Sequence, residues 1–283
     1  MEGQVGNSRL GEGPSVLAYT DLRMSMLRLG LAHTPVIAHA SVKAFGELAG
    51  GAEALLRAML DSVWGLVMPA FTYRTMITPE VGPPNNGLQY GDDRDLNRMA
   101  LPFTPDMPAD KEIGILAEIL RQQPRARRTL HPILSFAGLR AEKYLARQSS
   151  SDPLGPIGAL AEDDGWILLL GVDHTVNTAI HYAEHLAGRK SFTRWALLPD
   201  RIVESPGFPG DSAGFGALAP DLAKDTRTIR VGSAVMQAVP IRAVISAVKA
   251  RLEADPLALL CSREDCARCG AVRASARAVG GPA

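Results

Sequence analysis

Trp166-Ile-Leu-Leu-Leu-Gly-Val-Asp173-His174-Thr-Val-Asn177-Thr178-Ala-Ile-His181-Tyr-Ala-Glu184-His185 decides the fold class. It begins as an apolar run ending in glycine, the pattern of a buried strand, then turns polar and resumes with helical spacing. In an open α/β sheet, ligands bind outside the carboxyl ends of the strands, so the groups just past Leu170-Gly171 face a crevice. On the following helix His181 and Glu184 are three residues apart, and His181 and His185 are four apart, so all three share a face.

Working outward, 283 residues with 46% hydrophobic content suffice for one enzyme-sized unit with a sizeable core. Thirty basic and thirty acidic residues cancel, leaving no global field to draw nucleic acid or an acidic membrane surface. No stretch approaches the roughly 18 apolar residues of a membrane span, and the first residues are polar where a secretory signal is apolar. The sequence therefore reads as cytoplasmic. Cys261, Cys266 and Cys269 are an odd number confined to one end, which argues against a disulfide framework. They offer zinc three thiolates where a structural site uses four, with no histidine nearby. The bland reading is three reduced thiols in a mobile tail at 261–283, with no metal expected, and the sharper one is a metal shared between subunits.

Residues 1–14 are glycine-rich and read as a flexible N-terminus. Leu17, Leu22, Met26 and Leu27 predict a helix within 15–31. Pro35-Val-Ile-Ala-His39-Ala predicts a strand, followed by a small-residue loop from Ser41 to Gly46 and by Gly50-Gly51 opening a helix over 52–63. That arrangement reads as an anion cradle at a helix N-terminus, or simply as a turn. Gly65-Leu-Val-Met-Pro69-Ala-Phe71-Thr72-Tyr73 predicts a second strand. Residues 74–110 are proline-rich and aperiodic, the character of a lid or substrate-facing loop.

A helix is predicted over 111–123 and is stopped by Pro124. Arg125, Arg127 and Arg128 then precede His131 and Ser135, either as phosphate partners or as a solvated face. Residues 135–146 read as helix. Beyond the opening stretch, Arg194-Trp-Ala-Leu-Leu and Arg201-Ile-Val-Glu204 predict a hairpin, Thr228-Ile-Arg-Val-Gly-Ser-Ala-Val a further strand, and 240–254 a long amphipathic helix. The architecture expected is α/β, a central mixed, mostly parallel sheet flanked by helices with a small antiparallel hairpin inserted. Residues 15–260 read as its single domain.

Several motifs fall in one order: His39-Ala-Ser41-Val-Lys43-Ala-Phe-Gly46 with Gly50-Gly51-Ala-Glu, Gly65-Leu-Val-Met-Pro69-Ala-Phe71-Thr72, and Glu118-Ile-Leu-Arg121 through Arg128-Thr-Leu-His131-Pro132 with Ser135-Phe136. Leu168-Leu-Leu-Gly171 through Asn177-Thr178-Ala-Ile-His181-Tyr-Ala-Glu184 closes the series. The set, spanning about residues 17–204, resembles the aminoglycoside N3-acetyltransferase family, acetyl-CoA-dependent enzymes that lack the GNAT fold.

The resemblance implies direct transfer of an acetyl group from acetyl-CoA to an amine, with a small-molecule amine and CoA as partners and a homodimer compatible with both. An ammonium has no lone pair, so a base must remove a proton. The resemblance puts that base at His181, in the pattern Thr178-x-x-His181-x-x-Glu184. Histidine suits the task, since its unperturbed pKa is about 6.5. Glu184, or Glu204 arriving from the hairpin, would fix the tautomer. By the same resemblance His39, Ser41 and Lys43 border the pantetheine, and Thr72, His131 and Ser135 line the cofactor channel. Arg127 and Arg128 would meet its phosphates, and Tyr73, Asp173 and Glu204 fall on the acceptor side. Backbone N–H groups near Ser41 or Thr72 would stabilise the oxyanion.

Two departures bear on the acceptor. Arg74 stands where an acid would help to bind ammonium groups, and Phe215-Gly-Ala-Leu-Ala-Pro-Asp221 lacks a doubled acid. A smaller amine, or one carrying its own anion, fits at least as well as an aminoglycoside. Two other classes remain open at this point. His181-Tyr-Ala-Glu184-His185 is also the H-x-x-E-H of inverted zinc peptidases, with Glu253 as a conceivable third ligand. A catalytically silent CoA-binding homologue would keep the same fold.

Overall fold

The computed structural model describes residues 16–91 and 94–279, so the predicted flexible stretch 1–14 lies outside the described residues. Helix α1 (Tyr19–Arg28) precedes strand β1 (Pro35–Ala40), helix α2 (Gly51–Leu60) and strand β2 (Gly65–Pro69). The proline-rich excursion holds strand β3 (Met76–Ile77) and helix α3 (Arg94–Met99). Helix α4 (Ile115–Arg121) leads to strands β4 (Arg127–Arg128) and β5 (Phe136–Leu139), then to helices α5 (Glu142–Leu145) and α6 (Gly155–Glu162). Strand β6 (Trp166–Leu170) and helix α7 (Thr178–Leu186) come next, followed by strands β7 (Phe192–Leu197) and β8 (Ile202–Phe208). Helix α8 (Ala219–Leu222), strands β9 (Arg227–Val231) and β10 (Ala234–Pro240), and helices α9 (Ile241–Ala254) and α10 (Ala267–Val279) follow in turn.

Among the described residues, one sheet has seven strands in the order β4-β5-β2-β1-β6-β10-β9, and a second has three in the order β3-β7-β8. Strand β1 pairs in parallel with β2 and β6, while the other four neighbour pairings in the large sheet are antiparallel. Traced outward from β1, those pairings leave only β5 and β10 running against the remaining five strands. The sheet is thus mixed, with a parallel centre and antiparallel margins.

Both faces of that centre are covered. Val36, Ala38, Leu168 and Leu170 pack with Leu22, Met26, Leu55 and Leu116 of α1, α2 and α4. Ile37, Ile167 and Leu169 pack on the opposite face with Ile157, Leu160, Ile180, Val244 and Val248 of α6, α7 and α9. Successive strand side chains alternate between faces, so a strand covered on both sides reads as an unbroken apolar run. No helix among the described residues is long and apolar enough to cross a membrane.

Four local expectations change. The helix predicted over 135–146 is strand β5 followed by the single turn of α5. A Cβ at Gly138 would come within 2.8 Å of the Leu66 carbonyl oxygen, so glycine admits the close antiparallel pairing of β5 with β2, and tertiary pairing overrides local propensity. The helix predicted over 111–123 is interrupted at Gly114, whose φ of 99° lies outside the range of an L side chain, and only α4 follows it. The hairpin near 194–204 is present, extends to Phe192 and Phe208, and gains β3 as a third strand. The cysteines do not lie in a mobile tail: Cys261, Cys266 and Cys269 are all buried, and the last two flank the start of α10.

Gly171 ends β6 at φ 65°, where an added Cβ would lie 2.4 Å from the Ala44 Cβ and 3.2 Å from the Ser41 carbonyl oxygen. The turn and the loop after β1 are therefore in contact through the missing side chain. Gly171→Ala is expected to cost about 1–3 kcal/mol, combining positive-φ strain with the clash. Urea unfolding checks this, and an unchanged midpoint would mean that the loop does not rest on the turn.

Candidate active site

Because β1, β2 and β6 point the same way, the segments that follow them converge. A cavity of about 1300 Å³ opens there, lined by His39, Ser41 and Lys43 after β1, by Phe71, Tyr73 and Arg74 after β2, and by Thr175, Thr178 and His181 after β6. Backbone groups at the start of α7 are satisfied by side chains. Asn177 Oδ1 accepts from the Ala179 N–H at 3.1 Å, and His39 Nε2 accepts from the Thr178 N–H at 3.4 Å. Burial pushes the His39 pKa down to about 3, so its ring stays neutral and keeps the lone pair that accepts this bond.

His181 points from α7 into the cavity with 11% of its side chain exposed, and its Nδ1 lies 3.0 Å from Glu184 Oε2. Glu184 Oε1 accepts from Arg189 Nη1 at 3.0 Å, and Arg189 Nη2 donates to the carbonyls of Pro256 and Ala258, each at 2.8 Å. Both carboxylate oxygens are engaged, and a carboxylate only accepts. Nδ1 is therefore the donor, and in the neutral form of the ring Nε2 keeps the imidazole lone pair. The buried ring of Phe215 meets the imidazole in a T-shaped contact, centroids 4.7 Å apart. This arrangement can take a proton from a group in the cavity and stabilise the imidazolium that results.

Of the residues singled out in the sequence, His39, Ser41, Lys43, Tyr73, Thr178 and His181 line the cavity, and Glu184 supports His181 from behind. Thr72, His131, Ser135 and Arg128 are not among the lining residues and instead knit backbone together beneath them. Thr72 Oγ1 donates to the Pro132 carbonyl at 2.9 Å, Ser135 Oγ to the Ala70 carbonyl at 2.7 Å, and Arg128 Nη2 to the same carbonyl at 2.9 Å. Arg128 Nε also donates to Ser135 Oγ at 3.0 Å, so this guanidinium is committed inside the fold rather than to a phosphate. His131 Nδ1 accepts from the Ile133 and Leu134 N–H groups at 3.2 and 2.9 Å. The Ser41 N–H donates to the Leu170 carbonyl and the Thr72 N–H to the Ile133 carbonyl, so neither is free for an oxyanion. Asp173 is exposed and caps the following turn through the Thr175 N–H, Glu204 is exposed on β8, and His185 is exposed; none of the three lines the cavity.

Six charged lining residues have no site role in the sequence reading: Asp110, Lys111, Glu112, Glu118, Arg194 and Arg268. They come from the end of the aperiodic loop, from α4 and the turn before it, and from elements distant in the chain, where nothing local marks them as facing a cavity. Asp110 accepts from both the Arg74 backbone N–H, at 3.2 Å, and its guanidinium, which offsets the cation expected to face the acceptor. Lys43, Arg74, Lys111, Arg194 and Arg268 are five cations against the three carboxylates of Asp110, Glu112 and Glu118, so the lining carries a surplus of two positive charges. Among the described residues, no metal-ligating group includes His181 or His185.

The profile of the aminoglycoside 3-N-acetyltransferase family matches residues 37–253. The chain belongs to that family. Aminoglycoside N(3)-acetyltransferase IX of Micromonospora chalcea is 34% identical over 166 residues, 55% of this chain and 57% of its own length. The chain thus spans less than two thirds of the length of the curated relatives it matches. Among solved structures, the apoenzyme of aminoglycoside acetyltransferase AAC(3)-IVa superposes with a TM-score of 0.74 at 24% identity, covering 93% of this chain and 100% of that one. The AAC-IIIb binary structure with CoASH superposes with a TM-score of 0.68 at 24% identity, covering 85% and 97%. These likenesses support a family fold for the sheet and helices described above.

The site carries a pH dependence of its own. Burial holds His39 down to about 3 and His131 down to about 4, so below the ordinary histidine pKa of about 6.5 the unfolded chain binds protons that the folded chain does not. Stability is unaffected above that value and falls as pH drops from 6.5 towards 4. Each histidine contributes a slope of at most about 1.4 kcal/mol per pH unit. His131→Asn should flatten the slope in urea unfolding between those pH values, and an unchanged slope would remove His131 as a source.

Proposed function

We propose that the chain is an acetyl-CoA-dependent N-acetyltransferase in which His181 is the general base. The observation that carries this is the buried series from His181 through Glu184 to Arg189, which commits Nδ1 as donor and leaves Nε2 basic on a residue lining the cavity. Family membership supports the reaction class, and the binding of CoASH by a protein of the same fold supports the acyl donor. The cavity exceeds the usual 300–1,000 Å³ of a small-molecule site, which suits two substrates present together.

In this reading the amine nitrogen attacks the thioester carbonyl while Nε2 of His181 takes its proton. A C–N bond forms, the carbonyl oxygen gains negative charge, and the tetrahedral intermediate then collapses with loss of the C–S bond. The CoA thiolate leaves and takes a proton from the imidazolium or from solvent. Glu184 stabilises the charged ring meanwhile, and Phe215 shields it from water.

The acceptor in this proposal is an aminoglycoside 3-amino group or a related small amine. The Arg194 guanidinium in the lining favours an amine with few further ammonium groups, or one bearing its own anion, because a polycation would meet that charge. CoA release from acetyl-CoA, followed with an amine panel containing aminoglycosides, small amines and amino acids, tests the reading. His181→Ala is expected to lower kcat about a hundredfold or more with acetyl-CoA affinity unchanged. Normal turnover by that variant would place the base elsewhere, and CoA binding without turnover of any amine would leave a catalytically silent binding protein.

The support of His181 is testable separately. Glu184→Ala would leave Arg189, with 4% of its side chain exposed, as a buried cation without its carboxylate partner. A loss of about 3–5 kcal/mol is expected in urea unfolding. A loss below 1 kcal/mol, on the order of an exposed pair, would show that solvent reaches the guanidinium.

A further inference from the structure

Apart from His181, the fold collects the three cysteines beside one aspartate. A ligand atom from each of Asp211, Cys261, Cys266 and Cys269 lies within 4.8 Å of the other three, and all four residues are buried. We infer that these four side chains form a structural zinc site within one chain.

The donor set has the number and kind that zinc takes. A closed structural site is tetrahedral with four protein ligands, cysteine thiolates foremost and carboxylate oxygen accepted. Zn–S bonds of about 2.3 Å put sulfurs about 3.8 Å apart in a tetrahedron, and side-chain rotations within the observed 4.8 Å reach that spacing. The Cys261-x4-Cys266-x2-Cys269 spacing supplies three ligands, and the loop after β8 brings Asp211 from 50 positions upstream of Cys261. No second subunit is needed to complete the set.

Charge supports the same conclusion. On binding, each thiol gives its proton to solvent as a Zn–S bond forms. Three thiolates and a carboxylate carry four negative charges, and a divalent ion leaves two. Arg263 Nη2 and Arg268 Nη2 lie 3.1 and 3.3 Å from Asp211 Oδ2 and supply two positive charges. The Ala213 N–H holds Asp211 Oδ1 at 2.9 Å, the kind of outer hydrogen bond that orients a ligating carboxylate. With every position filled by protein there is no open one for a substrate, so the ion is structural.

What it fixes is one wall of the cavity. Gly210, Ser212 and Arg268 line that wall, next in sequence to Asp211 and Cys269. Arg268 Nη1 donates to the Gly210 carbonyl at 2.9 Å, and the segment from Asp211 leads directly to Phe215, which lies against His181. A tetrahedral ion would tie this loop to the start of α10.

Metal analysis of protein purified without added metal or chelator should find about one zinc per chain. That zinc should persist in His181→Ala and His185→Ala and be lost in Cys269→Ser and Asp211→Ala. Should the last two fail to fold, cobalt substitution of the unaltered protein provides the check. Cobalt should give the intense visible bands of a tetrahedral ion and a near-ultraviolet thiolate charge-transfer band, and all three thiols should resist alkylation until the metal is removed. A metal-free protein with three reactive thiols, a protein containing a disulfide, iron in place of zinc, or zinc lost with His181 rather than Cys269 would overturn the assignment.

Discussion

Parallel pairing of β1 with β6 is the constraint on which the site depends. It aligns Ala40 with Leu170, so the loop starting at Ser41 and the turn starting at Gly171 leave the sheet side by side. Gly171 lets them touch, and the His39 ring then reaches the first N–H of α7. The helix that carries His181 is thus aimed by a strand more than a hundred residues earlier. Nothing on α7 itself could set that direction, because a helix fixes only which of its residues share a face.

Behind the imidazole, the geometry is maintained by a buried charge pair rather than by exposed ones. Surface ion pairs in this chain, such as Arg201 with Asp200, are mostly solvated and contribute little. Glu184 and Arg189 are different, because each uses its remaining hydrogen-bonding capacity inside the protein. The arginine's bonds to the Pro256 and Ala258 carbonyls tie the His181–Glu184 pair to the segment after α9. Asp110 and Arg74 form a more exposed pair in the cavity lining, where the carboxylate engages both backbone and side chain of the same arginine.

How much of this was legible in the sequence depends on whether a residue's role is set locally. His181, Glu184 and Thr178 follow from helical spacing and a family pattern, and His39 and Ser41 from their place at a strand end. Thr72, His131, Ser135 and Arg128 look the same in sequence, yet their polar atoms are used where β2 and β5 leave backbone groups to satisfy. Residue type could not separate the two uses, because a buried carbonyl and a ligand make the same demand on a hydroxyl or a guanidinium. Asp110, Arg194 and Arg268 reach the cavity through tertiary packing alone. Asp211 is the extreme case, since only the fold makes it a neighbour of Cys261, Cys266 and Cys269.

The order of strands in the sheet also has a kinetic meaning. Val36 pairs with Trp166, 130 positions later, and β6 in turn pairs with β10, which begins at Ala234. A ribosome delivers β1 and β2 long before either partner exists, and contacts of such sequence separation form slowly. Until β6 is made, β1 has an open edge and uncovered apolar residues, Ile37 among them, of the kind that recruits other strands. During synthesis, the half-built sheet is therefore the stage at which this chain presents an open strand edge and an uncovered apolar face.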